Sequence, residues 1–325
     1  MRSMLAMFVA MLMAPLFSGT VNAEDAYPSK PIKIIVPVGA GAGVDTAARI
    51  TGEAVEKHLG QRLVVENKPG AGLRLGAALV AKAEPDGYTL LFTSPTPVAV
   101  VEHFKQRMDY DPAKDFRPIA IGMFQPVLLI VRPGLGVKSV DEFVALAKAQ
   151  PGKLLFGIQG IGGEMHLSMK HFEKMAGILF TQLPYNAAAG AIVDLLADRL
   201  DAMFLVIPPI RDHIQTGKLL ALATLNARRV AIFPEIQTMT ELGHPELTNS
   251  IWFGYLAPAK TPEAVVKRLA DAFAKLPNDA ALAKRVADLG AELRVVGPQG
   301  FAEIIASDRA TYGKIVQEGN LSGVQ

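Results

Sequence analysis

The sequence predicts an α/β protein of two domains, and three observations carry that prediction. Short apolar runs alternate with helix-length amphipathic segments along the chain, the pattern of strands in parallel sheets covered by helices. The 325 residues exceed what one hydrophobic core usually serves. The 29 glycines and 22 prolines mark a loop-rich chain rather than a coiled coil or a disordered one.

The segment 1–23 reads as a cleaved secretory leader. Arg2 is its only charge, 4–17 is apolar, and Val21-Asn22-Ala23 ends on the small residue that a signal peptidase prefers. The apolar run is shorter than the roughly 20 residues that span a bilayer, and Pro15 and Ser18-Gly19-Thr20 interrupt it. Ile32-Lys33-Ile34-Ile35-Val36 then reads as a strand, followed by a glycine-rich loop and a helix over 45–59. Leu63-Val64-Val65-Glu66 is the next strand, 72–83 a helix, and Tyr88-Thr89-Leu90-Leu91-Phe92 a third strand. A second series opens at Val127-Leu128-Leu129-Ile130-Val131. It continues through a helix over 139–149, with Ser139 as N-cap and Glu142 completing a capping box, then Leu154-Leu155-Phe156 and a helix over 164–176. A helix over 188–197, the strand Asp201-Ala202-Met203-Phe204-Leu205 and the run Leu219-Leu220-Ala221-Leu222-Ala223 follow. The last third has one strand, Phe253-Gly254-Tyr255-Leu256-Ala257, and helices over 263–276, 280–289 and 298–317. There is no internal repeat and no low-complexity linker, so short crossovers are expected to join the domains.

Charge and composition exclude several function classes. A net charge of +2, from 33 Lys and Arg against 31 Asp and Glu, lacks the dense basic stripe that nucleic-acid binding requires. Without cysteine there is no disulfide, zinc–thiolate or iron–sulfur site and no thiol nucleophile.

The glycines point to a site. Gly39-Ala40-Gly41-Ala42-Gly43 lies between a strand and a helix, Ser94-Pro95-Thr96 follows another strand, and Gly160-Ile161-Gly162-Gly163 precedes the helix that holds His166. In open α/β sheets ligands bind at the carboxyl ends of strands, where such loops meet. Glycine lets backbone N–H groups approach a ligand, and a helix N-terminus adds partial positive charge. Charge-assisted hydrogen bonds are worth roughly 1.5–3 kcal/mol each. Three or four of them, with apolar contact, reach the roughly 8 kcal/mol of micromolar binding without any Lys or Arg.

Other chemistries fit less well. A dinucleotide fingerprint over Gly39, Gly41 and Gly43, with Glu66 as the ribose acid, fails because Val44 stands where Gly or Ala is needed; Gly70, Gly72 and Gly76 fail on spacing. No cofactor is therefore expected, and an oxidoreductase is the remote alternative. Ser94 is not in a nucleophile elbow, and His166 and His171 are five residues apart with no H-E-x-x-H pattern. Asp45 reads as an N-cap. Asp109, Asp111 and Asp115, broken by Pro112 and Lys114, read as a solvated loop rather than a metal site. No enzyme is expected.

Several segments in order resemble one family. Tyr27-Pro28-Ser29-Lys30-Pro31-Ile32, Val65-Glu66-Asn67-Lys68-Pro69-Gly70-Ala71-Gly72, Pro85-Asp86-Gly87-Tyr88-Thr89-Leu90-Leu91 and Tyr110-Asp111-Pro112-Ala113-Lys114-Asp115-Phe116 are similar to the tripartite tricarboxylate transporter substrate-binding proteins, also called Bug proteins. Lys138-Ser139-Val140, His166-Leu167, Leu183-Pro184-Tyr185, Trp252-Phe253-Gly254 and Ala257-Pro258-Ala259 extend the likeness. The resemblance implies a two-domain periplasmic binding protein, type II-like, with a ligand cleft between the domains, a monomeric state and a membrane permease as partner. It implies a discontinuous first domain, 24–125 plus 249–325, with 126–248 inserted. It also implies ligand contacts from Val38, Gly39, Ala40, Gly41, Ala42, Gly43, Val44 and Asp45; from Ser94 and Thr96; from Gly157, Gly160, Ile161, Gly162, Gly163 and His166; and from Tyr185, Phe204 and Leu205.

The chain departs from the family pattern where it bears on the ligand. The first loop lacks two prolines and a threonine, Asn186-Ala187 replaces Lys-Gly, Leu205-Val206 replaces Asp-Asn, and Pro95 and Val100 replace Gly and Asn. These changes remove charge and hydrogen-bonding capacity. They lead us to expect a small organic acid with one carboxylate and an apolar or aromatic body. A receptor that presents its ligand to a membrane sensor is the alternative to one that feeds a permease.

Overall fold

The structure, a computed structural model, describes residues 27–105, 107–185 and 187–323; the leader expected over 1–23 lies outside them. The chain opens with β1 (Ile32–Val36), α1 (Gly43–Leu59), β2 (Leu63–Asn67), α2 (Arg74–Ala81) and β3 (Thr89–Thr93). In the interior strands β1 and β3 the apolar runs are long enough to fill one pleated row and are almost wholly buried. Helix α1 stops where Gly60 takes a left-handed conformation (φ 74°) and donates its N–H to the Glu56 carbonyl, with Lys57 and His58 placed favourably at the negative end of the helix dipole.

Next comes β4 (Phe116–Val131), three times the length expected. Only 127–131 reads as a strand in the sequence, because Pro118, Gly122 and Pro126 look like breakers. The strand survives them by shifting register against its antiparallel partner β9 (Ser250–Pro258), between Pro118 and Ala120 and again between Ile121 and Met123. The middle of the chain supplies α3 (Val140–Ala149), β5 (Leu155–Gln159), α4 (Glu164–Ala176), β6 (Thr181–Tyr185), α5 (Ala188–Leu196), β7 (Ala202–Val206), α6 (Arg211–Gln215) and β8 (Leu220–Thr224). After β9 come α7 (Glu263–Phe273), α8 (Ala280–Asp288) and the long α9 (Pro298–Glu318). Strand β6 and the single-turn α6 are absent from the sequence reading. β6 contains Pro184 and is a partly exposed edge strand paired only with β5, so it lacks a buried strand's apolar run. At α3 the Ser139 Oγ accepts the Glu142 N–H (3.1 Å), but the Glu142 carboxylate accepts the Lys138 N–H (2.7 Å), so the expected capping box closes one residue early.

The nine strands run in the order β2-β1-β3-β9-β4-β7-β5-β6, with β8 also paired to β4. Strand directions decide where ligands could reach. β1 and β3 are parallel, and both β3 and β4 are antiparallel to β9, so β1, β3 and β4 point the same way. β7 is antiparallel to β4, and β5 and β6 follow β7, so these three point the opposite way. The carboxyl ends of the two parallel sets therefore face each other across the point where β4 exchanges partners: Pro126 lies opposite Ser250 of β9, and Val127 opposite Val206 of β7.

A continuous core packs α1, α3, α4, α7 and α8 on one face of the sheet. Smaller clusters sit under α5 and under α2 and α9 on the other. A fourth cluster joins the halves directly: Ala99, Val100 and Phe104 after β3 pack with Leu167 of α4 and with Tyr312 and Ile315 of α9.

Candidate functional site

Two glycine loops and one hydroxyl-bearing loop stand at the facing strand ends. The first loop, 37–42, leaves β1. Cβ atoms added at Gly39, Gly41 or Gly43 would meet nothing within 4 Å, and Gly41 takes φ +82°, so this backbone is open on its outer side. Its shape is fixed from within its own half. Asp45, 3 % exposed in the first turn of α1, accepts the Gly41 N–H (2.8 Å) and the Asn67 side-chain N–H (2.9 Å) and pairs with Arg49 (2.9 Å). Asn67 also donates to the Val38 carbonyl (3.0 Å). Burial alone would raise the Asp45 carboxyl, but hydrogen bonds from Arg49, Gly41 and Asn67 outweigh it and hold the group below the usual carboxylate range. Asp45 is thus not the N-cap expected. That position belongs to Ala42, whose side chain cannot cap, and Asp45 reaches back to do the work. Val38 and Val44 pack against the main core.

The second loop leaves β5 and enters α4. Gly160 (φ +73°) and Gly162 (φ +77°) allow the turn; Gly160 faces open space and Ile161 is 45 % exposed. His166, 1 % exposed, pins this loop. The Gly162 N–H donates to its Nδ1 (3.0 Å), so the ring proton sits on Nε2, which donates to Gln182 Oε1 (3.1 Å). Both ring nitrogens are used inside the protein, and burial lowers the ring's pKa, which keeps it neutral.

Ser94 and Thr96, directly after β3, meet the second loop. A Cβ on Gly163 would lie 3.9 Å from Thr96 Oγ1, and one on Gly162 would lie 3.2 Å from Phe104. The Thr96 hydroxyl donates to Glu164 Oε2, and the Ser94 side chain hydrogen-bonds to the same carboxylate. Burial and the nearby Asp308 carboxylate push the Glu164 carboxyl up. Thr93, fully buried beside them, has a hydroxyl with no hydrogen-bond partner.

The remaining expected residues are placed differently. Gly157 is buried within β5, opposite Met203 of β7, where a Cβ would come within 2.8 Å of Leu200. Phe204 and Leu205, each 1 % exposed, are core side chains; Phe204 packs edge-on to Phe156 at 5.3 Å. Tyr185 closes β6 and donates to Asp194 (2.7 Å). The structure therefore brings Thr96 against Gly163 and joins Ser94 and Thr96 to Glu164, while the 37–42 loop leaves the same end of the parallel β1–β3 pair but is fastened within its own half. Asn67, Arg49 and Glu164 were missed as site residues. The signals were present: an Asn at the end of β2 one helix away from the loop, and an acid immediately after four loop residues rich in glycine.

Behind this contact, α4, α9 and the 246–249 segment enclose a polar cavity of about 140 Å³ whose lining includes Ser168, Asn249, Asp308 and Tyr312. Glu66, weighed as a ribose acid, is instead paired with Lys33 (3.0 Å). Among the described residues, no three His, Cys, Asp or Glu side chains are placed to share a metal ion, and no helix is long and apolar enough to cross a membrane.

Comparison with known proteins agrees with the architecture. The family model for the tripartite tricarboxylate transporter family receptor matches residues 47–321. Protein BugT of Bordetella pertussis is 34 % identical over 295 residues, covering 90 % of this chain and 87 % of BugT. A Rhodopseudomonas palustris protein solved with adipate superposes with a TM-score of 0.80 at 28 % identity, covering 90 % of this chain and 98 % of that one. MatC of the same organism, solved with bound malate, gives 0.76 at 27 %, covering 89 % and 100 %. Two further solved structures that superpose on the chain are a periplasmic binding protein and a TctC solute-binding protein, so the two-domain α/β fold expected from the sequence is the one observed. These relatives are receptors rather than enzymes, and this chain belongs with them to the tripartite tricarboxylate transporter receptor family.

Proposed function

We propose that this chain is a periplasmic receptor that captures a small organic carboxylate between its two domains and delivers it to a tripartite tricarboxylate-type permease. The domain division goes with this reading: 24–125 plus 249–325 form one domain and 126–248 the other, with β4 and the start of β9 as the connection. Residues 1–23 act as the export leader, and the receptor works as a monomer. The observation that carries the proposal is the facing of the two sets of strand ends at the β4 exchange, where Ser94 and Thr96 meet the Gly160–Gly163 loop.

Backbone N–H groups around Gly39, Gly43 and Gly160, which face open space, and the N-terminus of α4 form an anion-binding donor set without a cationic side chain, beside the Ser94 and Thr96 hydroxyls that hold Glu164. The ligand has one carboxylate and an apolar or aromatic body, because the chain's departures from the family pattern remove polar groups. Thermal denaturation of the mature protein against a panel of mono- and dicarboxylates, with neutral sugars and amino acids as controls, tests the reading. A true ligand at 100 times its Kd adds about 2.7 kcal/mol of stability. Stabilisation by sugars or amino acids and by no organic acid contradicts it.

A further inference from the structure

We propose that Glu164 supplies one of two carboxylate positions at this site from the protein itself, so that the site takes a ligand with one carboxylate and turns away one with two. The inference rests on the receptor reading above and deepens it. Its basis is where the Glu164 carboxylate lies. The side chain belongs to α4, in the half built on β5 to β7, yet its acceptors are filled by Thr96 and Ser94 from the end of β3 in the opposite half. Its own backbone N–H adds a third donor, and α4, 13 residues long, directs its positive end at the same place. Two hydroxyls, an N–H and a helix N-terminus are the donor set that a free carboxylate would need there.

Glu164 is also held differently from an ordinary structural acid. The groups acting on its charge are these donors and the carboxylate of Asp308, with no Lys or Arg among them. From α9, Asp308 and the buried Tyr312 are the titratable groups that feel it. A second ligand carboxylate brought to the same donors would meet a carboxyl group already seated there and a partner set already taken. The two relatives solved with adipate and malate hold dicarboxylates. Here one of the two carboxyl positions is filled by the chain itself, which matches the loss of polar groups elsewhere around the strand ends.

The test compares matched acids that differ by one carboxylate, hexanoate with adipate and benzoate with terephthalate. Calorimetry gives Kd for wild type, Glu164→Gln and Glu164→Ser, read on the pair whose monoacid binds wild type more tightly. Glutamine keeps the shape without the carboxyl group, and serine removes both, so one folded variant suffices. The expected result is a fall of at least tenfold in the ratio of diacid Kd to monoacid Kd in either variant. A ratio unchanged within threefold overturns the inference and leaves the receptor reading standing. Failure of every organic acid to bind wild type overturns both.

Discussion

Asp45 and Glu164 occupy equivalent places in the two halves: each is an acid in the first turn of a helix that follows a glycine loop at a strand's carboxyl end. Their surroundings are opposite. Asp45 is turned inward and consumed by Gly41, Arg49 and Asn67 of its own half, which holds its carboxyl down. Glu164 crosses to Ser94 and Thr96 of the other half, with Asp308 behind it, and its carboxyl is pushed up. The difference shows that a shared strand–glycine loop–helix pattern says where a site lies but not what charge the site presents. That depends on partners distant in sequence.

The largest expected effect comes from the acid behind Glu164. Asp308 accepts the Trp252 indole N–H (2.7 Å), and burial pushes its carboxyl up from 3.8 to about 6. A carboxyl whose folded value is raised binds its proton more tightly when folded. Stability is therefore lost as pH rises from about 4 to about 6 and stays lower above that. Asp308→Asn, which can still accept from Trp252, should add roughly 3 kcal/mol at pH 8 and nothing at pH 3.5, measured by urea unfolding. An equal change at both pH values would show that charge burial is not the cause.

Asp45→Ala should cost about 2 kcal/mol, because it strands the Gly41 N–H, the Asn67 amide and Arg49 together; the exposure of Arg49 keeps the loss below that of a fully buried pair. If Asp45 only capped the helix, Asp45→Ser would restore full stability, so a persistent deficit in that variant supports the loop-fastening role.

How much of this was legible in the sequence follows from the range of the interactions. β1, β3 and α1 were readable because a buried parallel strand or an amphipathic helix is a local pattern. The first part of β4 was hidden by Pro118, Gly122 and Pro126, which a bulged antiparallel pairing tolerates. β6 was hidden because Pro184 sits in an edge strand. The glycine loops were visible, but the partners that give them charge were not. Asn67 is 22 residues from Asp45 and Thr96 is 68 residues from Glu164, so nothing local links them. His166 could be read as a ligand contact only until its two nitrogens were seen to be occupied.

A smaller effect is expected at that histidine. Burial lowers its folded pKa from 6.5, so the native state loses stability as pH falls below about 6.5. His166→Gln should flatten this acid-side slope in a melting series from pH 5 to 8, at a cost of about 1 kcal/mol at pH 8 for the altered Gly162 contact. An unchanged slope would assign the acid sensitivity elsewhere. The smallest effect is Tyr185→Phe, about 0.5 kcal/mol by chemical denaturation, since the Asp194 carboxylate that loses the hydroxyl keeps Arg199. A loss above 2 kcal/mol would mean that Tyr185 anchors β6 more strongly than this partly buried contact implies.

The most direct measurement is carboxyl-carbon NMR of the mature protein, titrated with pH in the absence and presence of a tightly bound monocarboxylate. The account predicts that Glu164 titrates above the ordinary glutamate value and shifts further when the ligand is added, while Asp45 titrates below the ordinary aspartate value and barely responds. An ordinary, ligand-insensitive Glu164 would contradict it.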